Sequence, residues 1–392
     1  MRRINHLPKF FKIIFFYCIT SFIVLISTEL LLSTFKEKPS NNKIVRSINF
    51  REHYPNKFER NYKYKKVNGK IILSDEVDLS TDSNGYINPS IIHNKDSINI
   101  LFLGGSTTEN RFLNEFTRFP YLVGRNLDSK IRNLNFNSIN SAVSGNNSLH
   151  SLNIFINKGI WIPAKPEIAV LMHAINDLIS LAYNNSYYIV DKPRAMLLTK
   201  DVSKFDTRFI KYQLKRFFPH LINRLVIFFD KIKQKNVLER DEFKEYRGKE
   251  IEVNTALIKK LFKSSLNNFI ETAKSWEIKP VLMTQPNLFL NERIYGIERG
   301  KSLKIVKTTN LNYVEFQELY DEFNQITRDL ANEKNILLID LEKTIPKDRI
   351  YFQVNNDIHF NNKGSTLAAE IISDELIKRF FTKKRILDLM NN

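Results

Sequence analysis

Four short stretches carry residue types suited to acyl-transfer chemistry. In chain order they are Gly104-Gly105-Ser106, Ser144-Gly145-Asn146, Asn176-Asp177 and Asn355-Asn356-Asp357-Ile358-His359. Acyl transfer needs a nucleophile, a base to take its proton, a group that orients the base, and donors for the oxyanion. Ser106 is the candidate nucleophile and His359 the candidate base. The backbone N–H groups of Ser106 and Gly145, with the Asn176 side chain, are the candidate donors. Ser106 follows the apolar run Ile100 to Leu103 and two glycines. That pattern reads as a buried strand ending in a tight turn, where glycine admits φ > 0 and close approach of a substrate. The plainer reading is an ordinary strand-to-helix turn with a Ser or Thr cap.

The elements that must position these residues follow from periodicity. Strands are expected at Ile100 to Leu103, Leu134 to Val143, Glu167 to Met172, Pro280 to Met283 and Ile336 to Leu341. Between them lie helical patterns, with apolar residues on one face, at Asn114 to Ile131, Leu149 to Trp161, Thr255 to Trp276, Tyr313 to Leu330 and Gly364 to Phe381. Five strands alternating with helices specify an α/β fold, a parallel sheet with helices on both faces. Ser106, Gly145 and Asn176 follow the first three strands, so they share the carboxyl edge, where such sheets bind ligands. Residues 178–250 hold no clear strand; Arg208 to Lys235 is basic and aromatic and reads as one or two inserted helices. That insertion fits a surface helix pair, a lid or a membrane-surface segment.

Other polar residues near these turns have simpler expectations. His173 is expected to be structural, and Asp177 to cap the helix that follows it. Glu109 and Arg111, just past Ser106, are ordinary exposed charges or substrate contacts. No phosphate loop and no paired His/Cys spacing for a metal is present, so no cofactor and no metal is expected.

Taken together, the four stretches resemble the blocks of the SGNH, or GDSL-type, hydrolases. The resemblance covers residues 98 to 380 and suggests a membrane-anchored bacterial member. It implies a flavodoxin-like three-layer α/β/α sandwich with esterase or acyltransferase activity. It assigns Ser106 as nucleophile, His359 as base, and Ser106, Gly145 and Asn176 as the oxyanion hole. There are three departures. The name-giving Asp before the serine is Gly105, which is not part of the catalytic chemistry, and the glycine two before Asn176 is Ala174. The family's Asp three residues before the His is Asn356, with Asp357 two before. The orienting residue is therefore Asp357, or Asn356 as a neutral partner, or absent in a Ser-His dyad.

The chain has 392 residues, 43% hydrophobic and 26% charged, which is globular in composition. Its one cysteine, Cys18, excludes an intrachain disulfide. The net charge of +18 favours anionic partners, and in the absence of a nucleic-acid motif lipid and acidic glycan rank above nucleic acid. Arg2, Arg3, Lys9 and Lys12 precede an apolar stretch, Ile13 to Ser27 extended by Leu30 to Leu32; counted from Phe10 to Phe35 it is long enough for a bilayer, which needs ~20 residues. With no clean cleavage site after it, it reads as an uncleaved signal-anchor, a transmembrane helix with the amino terminus cytoplasmic.

The expected organisation is residues 1–36 as cytoplasmic tip and anchor, 37–95 as a stalk, and 96–392 as the hydrolase-like domain with an insertion at about 178–250. The expected activity is that of a serine esterase or acyltransferase on small, acetyl-type esters of a cell-surface polysaccharide, outside the cytoplasm. The alternatives are a lipid-ester hydrolase at the membrane surface and a non-catalytic glycan-binding or scaffold protein on the same fold.

Overall fold

The computed structural model describes residues 51–67, 70–91, 97–162, 165–188, 197–201, 250–288, 309–353 and 356–382, together with 44–48 and short pieces at 13–17, 19–20 and 23–24. The chain forms two compact units. The larger takes in Ile48–Leu198 and Asp206–Asn392, the smaller Met1–Ser47 and Thr199–Phe205.

The strands are β1 (Ile44–Ile48), β2 (Phe58–Val67), β3 (Lys70–Ser80), β4 (Ser97–Gly104), β5 (Asn135–Asn140), β6 (Ile168–Met172), β7 (Leu197–Asp201), β8 (Lys279–Met283) and β9 (Leu337–Ile339). Among the described residues after 50 the helices are α1 (Ser106–Glu109), α2 (Phe119–Lys130), α3 (Ser148–Asn157), α4 (Ile175–Asn184), α5 (Thr255–Ser275), α6 (Tyr313–Glu333), α7 (Leu341–Thr344) and α8 (Asn362–Phe380). The central sheet has the order β5-β4-β6-β8-β9 and is parallel throughout. Numbered within the sheet this is 2-1-3-4-5, the flavodoxin-like order, whose switch point lies between β4 and β6.

Both faces of the sheet are covered, which is why β4, β6 and β8 carry near-continuous apolar runs, whereas β5 at the edge alternates as Asn-Phe-Asn-Ser-Ile-Asn. Leu101 and Leu103 of β4, with Leu171 and Leu282, pack beneath Phe155 of α3, Leu178 of α4, Phe262 and Phe269 of α5 and Phe323 of α6. Ile100 and Phe102, with Val170 and Val281, face Phe119 and Val123 of α2 and Ile372 and Leu376 of α8. Each such side chain removed from water contributes roughly 1.5–3 kcal/mol.

Two sequence expectations change, and a third falls largely outside the described residues. The segment read as a stalk belongs from Ile48 onward to the larger unit. It contains an antiparallel hairpin, β2 with β3, registered from Phe58 opposite Ser80 to Val67 opposite Lys70. Leu79, Tyr86 and Ile87 at its base are almost fully buried. Buried Arg118, the residue before α2, donates to the carbonyls of Asp78 (2.8 Å), Asn88 (3.2 Å) and Asn110 (3.3 Å) and ties this segment to the loop after α1. These contacts are long-range, so a local polar composition did not reveal them. Second, the stretch called an insertion begins with α4, which runs to Asn184, and holds the strand β7, paired with β1. The helices expected at Arg208 to Lys235 lie outside the described residues. Third, most of the apolar stretch Phe10 to Phe35 also lies outside them; its described pieces are helical, with Ile13, Phe15, Ile23 and Val24 exposed. Among the described residues no helix is long and apolar enough to cross a membrane.

Candidate active site

Ser106 opens α1 directly after β4 and is half-buried. Gly105, before it, has an ordinary φ of −95°. Its need is for space: a Cβ built there would fall on the Asn176 amide nitrogen and lie 3.0 Å from the Asn146 carbonyl oxygen. The Asn176 side chain therefore lies against the backbone that leads into Ser106. Asn176 Nδ2 donates to that Asn146 oxygen at 2.9 Å, which uses one of its two protons and fixes the direction of the other. Gly145, between Ser144 and Asn146, has φ +81°, a conformation that favours glycine.

His359 lies in the segment between a short 3-10 turn, Arg349–Tyr351, and α8. Its Nδ1 is 2.7 Å from Asn356 Oδ1. That oxygen also accepts the backbone N–H groups of Ile358 (3.2 Å) and His359 (3.1 Å). An amide oxygen only accepts, so Nδ1 carries the proton and, in the neutral ring, Nε2 is the basic nitrogen. Asp357 turns elsewhere: its carboxylate accepts from Arg349 Nη2. Arg349 also donates to the carbonyls of Gln353 (3.3 Å) and Asn356 (3.2 Å). Of the two candidates for orienting the imidazole, Asn356 is in place, and Asp357 instead braces the loop. Three residues of loop let the Asn356 side chain fold back onto the ring, whereas Asp357 points to the arginine.

The His359 segment is held to β4 by an aromatic chain. Phe102 of β4 meets Phe119 at 5.9 Å between ring centroids, Phe119 meets Phe360 at 6.4 Å, and Phe360 meets Phe352 at 5.6 Å. Ser365 of α8 adds a hydrogen bond of 2.6 Å to the Thr117 carbonyl, and Leu288 N–H one of 2.7 Å to the Asp357 carbonyl.

The remaining sequence candidates are buried, apart from the half-buried Arg111. Glu109 is neither exposed nor at a substrate face. It is 1% exposed, lies 3.0 Å from His53 Nε2 and accepts from the Ser144 hydroxyl. Burial works to raise its pKa, but the neighbouring His53, Arg111 and Ser144 outweigh it and bring the carboxyl down to about 2. Arg111 donates to Glu59 at 2.7 Å. His173 and Asp177 form a buried network: His173 Nε2 is 2.8 Å from Ser151 Oγ, and Nδ1 is 3.4 Å from Asp177 Oδ2. This is a Ser-His-Asp series, yet all three are nearly fully buried, so no substrate can reach them. Burial lowers the His173 pKa against the opposing pull of Asp177, which keeps the ring neutral. Asp177 accepts from Ser148 N–H at 3.0 Å, so it meets the first turn of α3, whose own N-cap is Asn147, and does not cap its own helix.

One contributor went unrecognised. Gln285, which follows β8 and is buried, donates from Nε2 to Thr107 Oγ1 (2.7 Å) and accepts from Ile175 N–H (2.8 Å). It thus braces the residue after Ser106 and the residue before Asn176. Its place at the carboxyl edge was legible, but its partners belong to two distant loops.

No protein-family model matches the sequence, and no curated protein sequence matches it. Solved structures similar to it include the lipase/acylhydrolase from Enterococcus faecalis, with 15% identity, a TM-score of 0.40, and coverage of 72% of this chain and 96% of that one. A GDSL-like lipase from Bacteroides thetaiotaomicron has 10% identity, a TM-score of 0.38, and coverage of 71% and 88%. An acetylxylan esterase from Geobacillus stearothermophilus has 14% identity, a TM-score of 0.38, and coverage of 73% and 95%.

Proposed function

We propose that this chain is a serine esterase or acyltransferase acting on small acyl esters. The observation that carries this reading is the His359 ring, held through Nδ1–H on Asn356 so that Nε2 is left basic. The Asn176 amide beside the nucleophile turn supports it. In this mechanism Ser106 Oγ attacks the ester carbonyl carbon while its proton passes to His359 Nε2. The oxyanion is met by the N–H groups of Ser106 and Gly145 and by Asn176 Nδ2–H. As the tetrahedral intermediate collapses, the carbon–oxygen bond to the leaving alkoxide breaks and His359 returns the proton to that oxygen. Water or a sugar hydroxyl then attacks the acyl-serine, with His359 again taking and returning one proton. Asn356 holds the tautomer but, being neutral, stabilises the imidazolium less than a carboxylate does.

The finer reading places the enzyme outside the cytoplasm, held by an N-terminal transmembrane anchor, on an acidic cell-surface polysaccharide. Its support is the basic, apolar amino terminus and the net charge of +18. A fluorophosphonate probe on the full chain, with mapping of the labelled peptide, tests the chemistry. Labelling at Ser106, lost in Ser106→Ala, with turnover of p-nitrophenyl acetate above that of p-nitrophenyl palmitate, is expected. An unlabelled wild-type protein would sink the enzyme reading and favour a scaffold; preference for palmitate would favour a lipid ester.

A further inference from the structure

The loop that carries the proposed oxyanion donor Gly145 is gripped by the segment before β2, which is not part of the parallel sheet. Arg51, in the segment before β2, donates from Nε to Asn146 Oδ1 (3.0 Å) and from Nη2 to the Ser144 carbonyl (3.1 Å). Its own carbonyl accepts from Asn146 Nδ2 (3.2 Å). One residue thus holds both neighbours of Gly145, through its side chain and its backbone at once. Arg51 has φ +49°, a conformation in which non-glycine residues other than Asn and Asp are uncommon. An outlier of this kind persists where its surroundings impose it, and it clusters at functional sites.

The same loop is gripped from its other side. The Ser144 hydroxyl donates to Glu109 at the end of α1, and Glu109 lies 3.0 Å from His53, two residues after Arg51. The 144–146 loop is therefore clamped between the Arg51–His53 segment and the helix that begins with Ser106. The clamp reaches a second donor, because the Asn146 carbonyl is the acceptor that aims Asn176 Nδ2. Gly145 itself has no side chain with which to hold its peptide in place.

We propose that Arg51 is a positioning residue for the oxyanion hole, fixing the Gly145 N–H directly and the Asn176 amide through Asn146. This rests on the reading of Ser106, Gly145 and Asn176 given above. Arg51 touches no reacting atom, so its removal acts on the transition state through the donors it aligns and leaves ground-state binding of a small ester nearly unchanged.

The test uses two variants of the full chain, Arg51→Ala and Arg51→Gly. Glycine adopts φ > 0 freely, so Arg51→Gly removes the guanidinium while relieving the backbone, and its melting temperature should match or exceed that of Arg51→Ala. With p-nitrophenyl acetate both should lose kcat on the order of 10- to 100-fold, below the 10²–10³ loss for removing a whole donor, with KM within about threefold. In an Asn176→Ala background Arg51→Gly should cost less than in wild type, because part of its effect runs through Asn176. Hydrogen exchange of the peptide spanning 141–148 should quicken in Arg51→Gly. A kcat within about threefold of wild type in Arg51→Gly, or an undiminished loss in the Asn176→Ala background, would overturn the proposal. If the wild-type protein turns over no ester, the functional reading has failed, and hydrogen exchange alone decides: unchanged exchange at 141–148 overturns the clamp.

Discussion

At His359 a neutral amide occupies the position that a carboxylate takes in a Ser-His-Asp site. Asn356→Ala should reduce kcat by about 10²-fold, the scale of a mispositioned general base, while Asp357→Asn should cost less, since Asp357 meets Arg349 and not the ring. Asn356→Asp places a negative charge against Nδ1–H, which favours the imidazolium, so the acidic limb of the kcat/KM profile should move to higher pH. Profiles of the three variants measured in parallel check this, and an unmoved limb in Asn356→Asp would remove Asn356 from the role. Glu109 makes a different, pH-dependent statement. Its folded pKa of about 2 lies below the ordinary 4.5, so the stability it contributes is present above about pH 4.5 and is lost as pH falls toward 2. That difference corresponds to about 3 kcal/mol. Glu109→Gln should be less stable than wild type at pH 7 and should lose less stability between pH 5 and 2; denaturant midpoints across that window read it directly.

Elements set the site's precision through two close approaches. The first is the turn from β4 into α1, where Gly105 leaves room for Asn176. Gly105→Ala should displace that amide and lower kcat on the order of 10²-fold, with kcat tracking the Asn176→Ala variant; a fully active Gly105→Ala enzyme would show that Asn176 does not sit there in solution. The second is the packing of the hairpin base against the loop after α1 by Arg118, whose guanidinium serves three backbone carbonyls. Burial brings its pKa down to about 10, against the pull of Glu109 and Glu115, so it remains charged at neutral pH. Arg118→Met strands those carbonyls and should cost about 3 kcal/mol. Equilibrium urea unfolding measures this, and limited proteolysis should then cut first within residues 77–91.

For the whole molecule, the boundary that matters is near Ile48, where the larger unit begins. Deleting residues 1–36 should give a folded, soluble protein with the turnover of the full chain on a soluble ester. Extending the deletion through residue 57 removes Arg51 and His53 and should lower kcat on the order of 10- to 100-fold, as the clamp predicts. Gel filtration and p-nitrophenyl acetate turnover of the two truncations check both statements. If the shorter deletion is already inactive, the amino-terminal segment belongs to the catalytic body.

The sequence by itself determined most of the sheet, because every strand but β5 stands out as an apolar run between helical patterns; β5, at the edge, is Asn-Phe-Asn-Ser-Ile-Asn. Lys279–Met283 and Tyr313–Glu333 lie within a few residues of their expected places. It also determined which residues gather at the carboxyl edge, since parallel strands bring every strand-to-helix turn to one side. The ends of elements were less legible: Asn114 to Ile131 reads as one helix but starts as a 3-10 turn, Glu115–Thr117, before Phe119. What only the tertiary structure decided is which neighbour each polar side chain meets. The choice between Asn356 and Asp357 rests on a loop conformation held by Arg349 and Phe360. The burial of Glu109, the bridge made by Gln285 and the grip of Arg51 join residues 35 to 178 positions apart. A hydrogen bond needs its partners within about 3 Å and a defined angle, and no local pattern of residue types encodes that geometry.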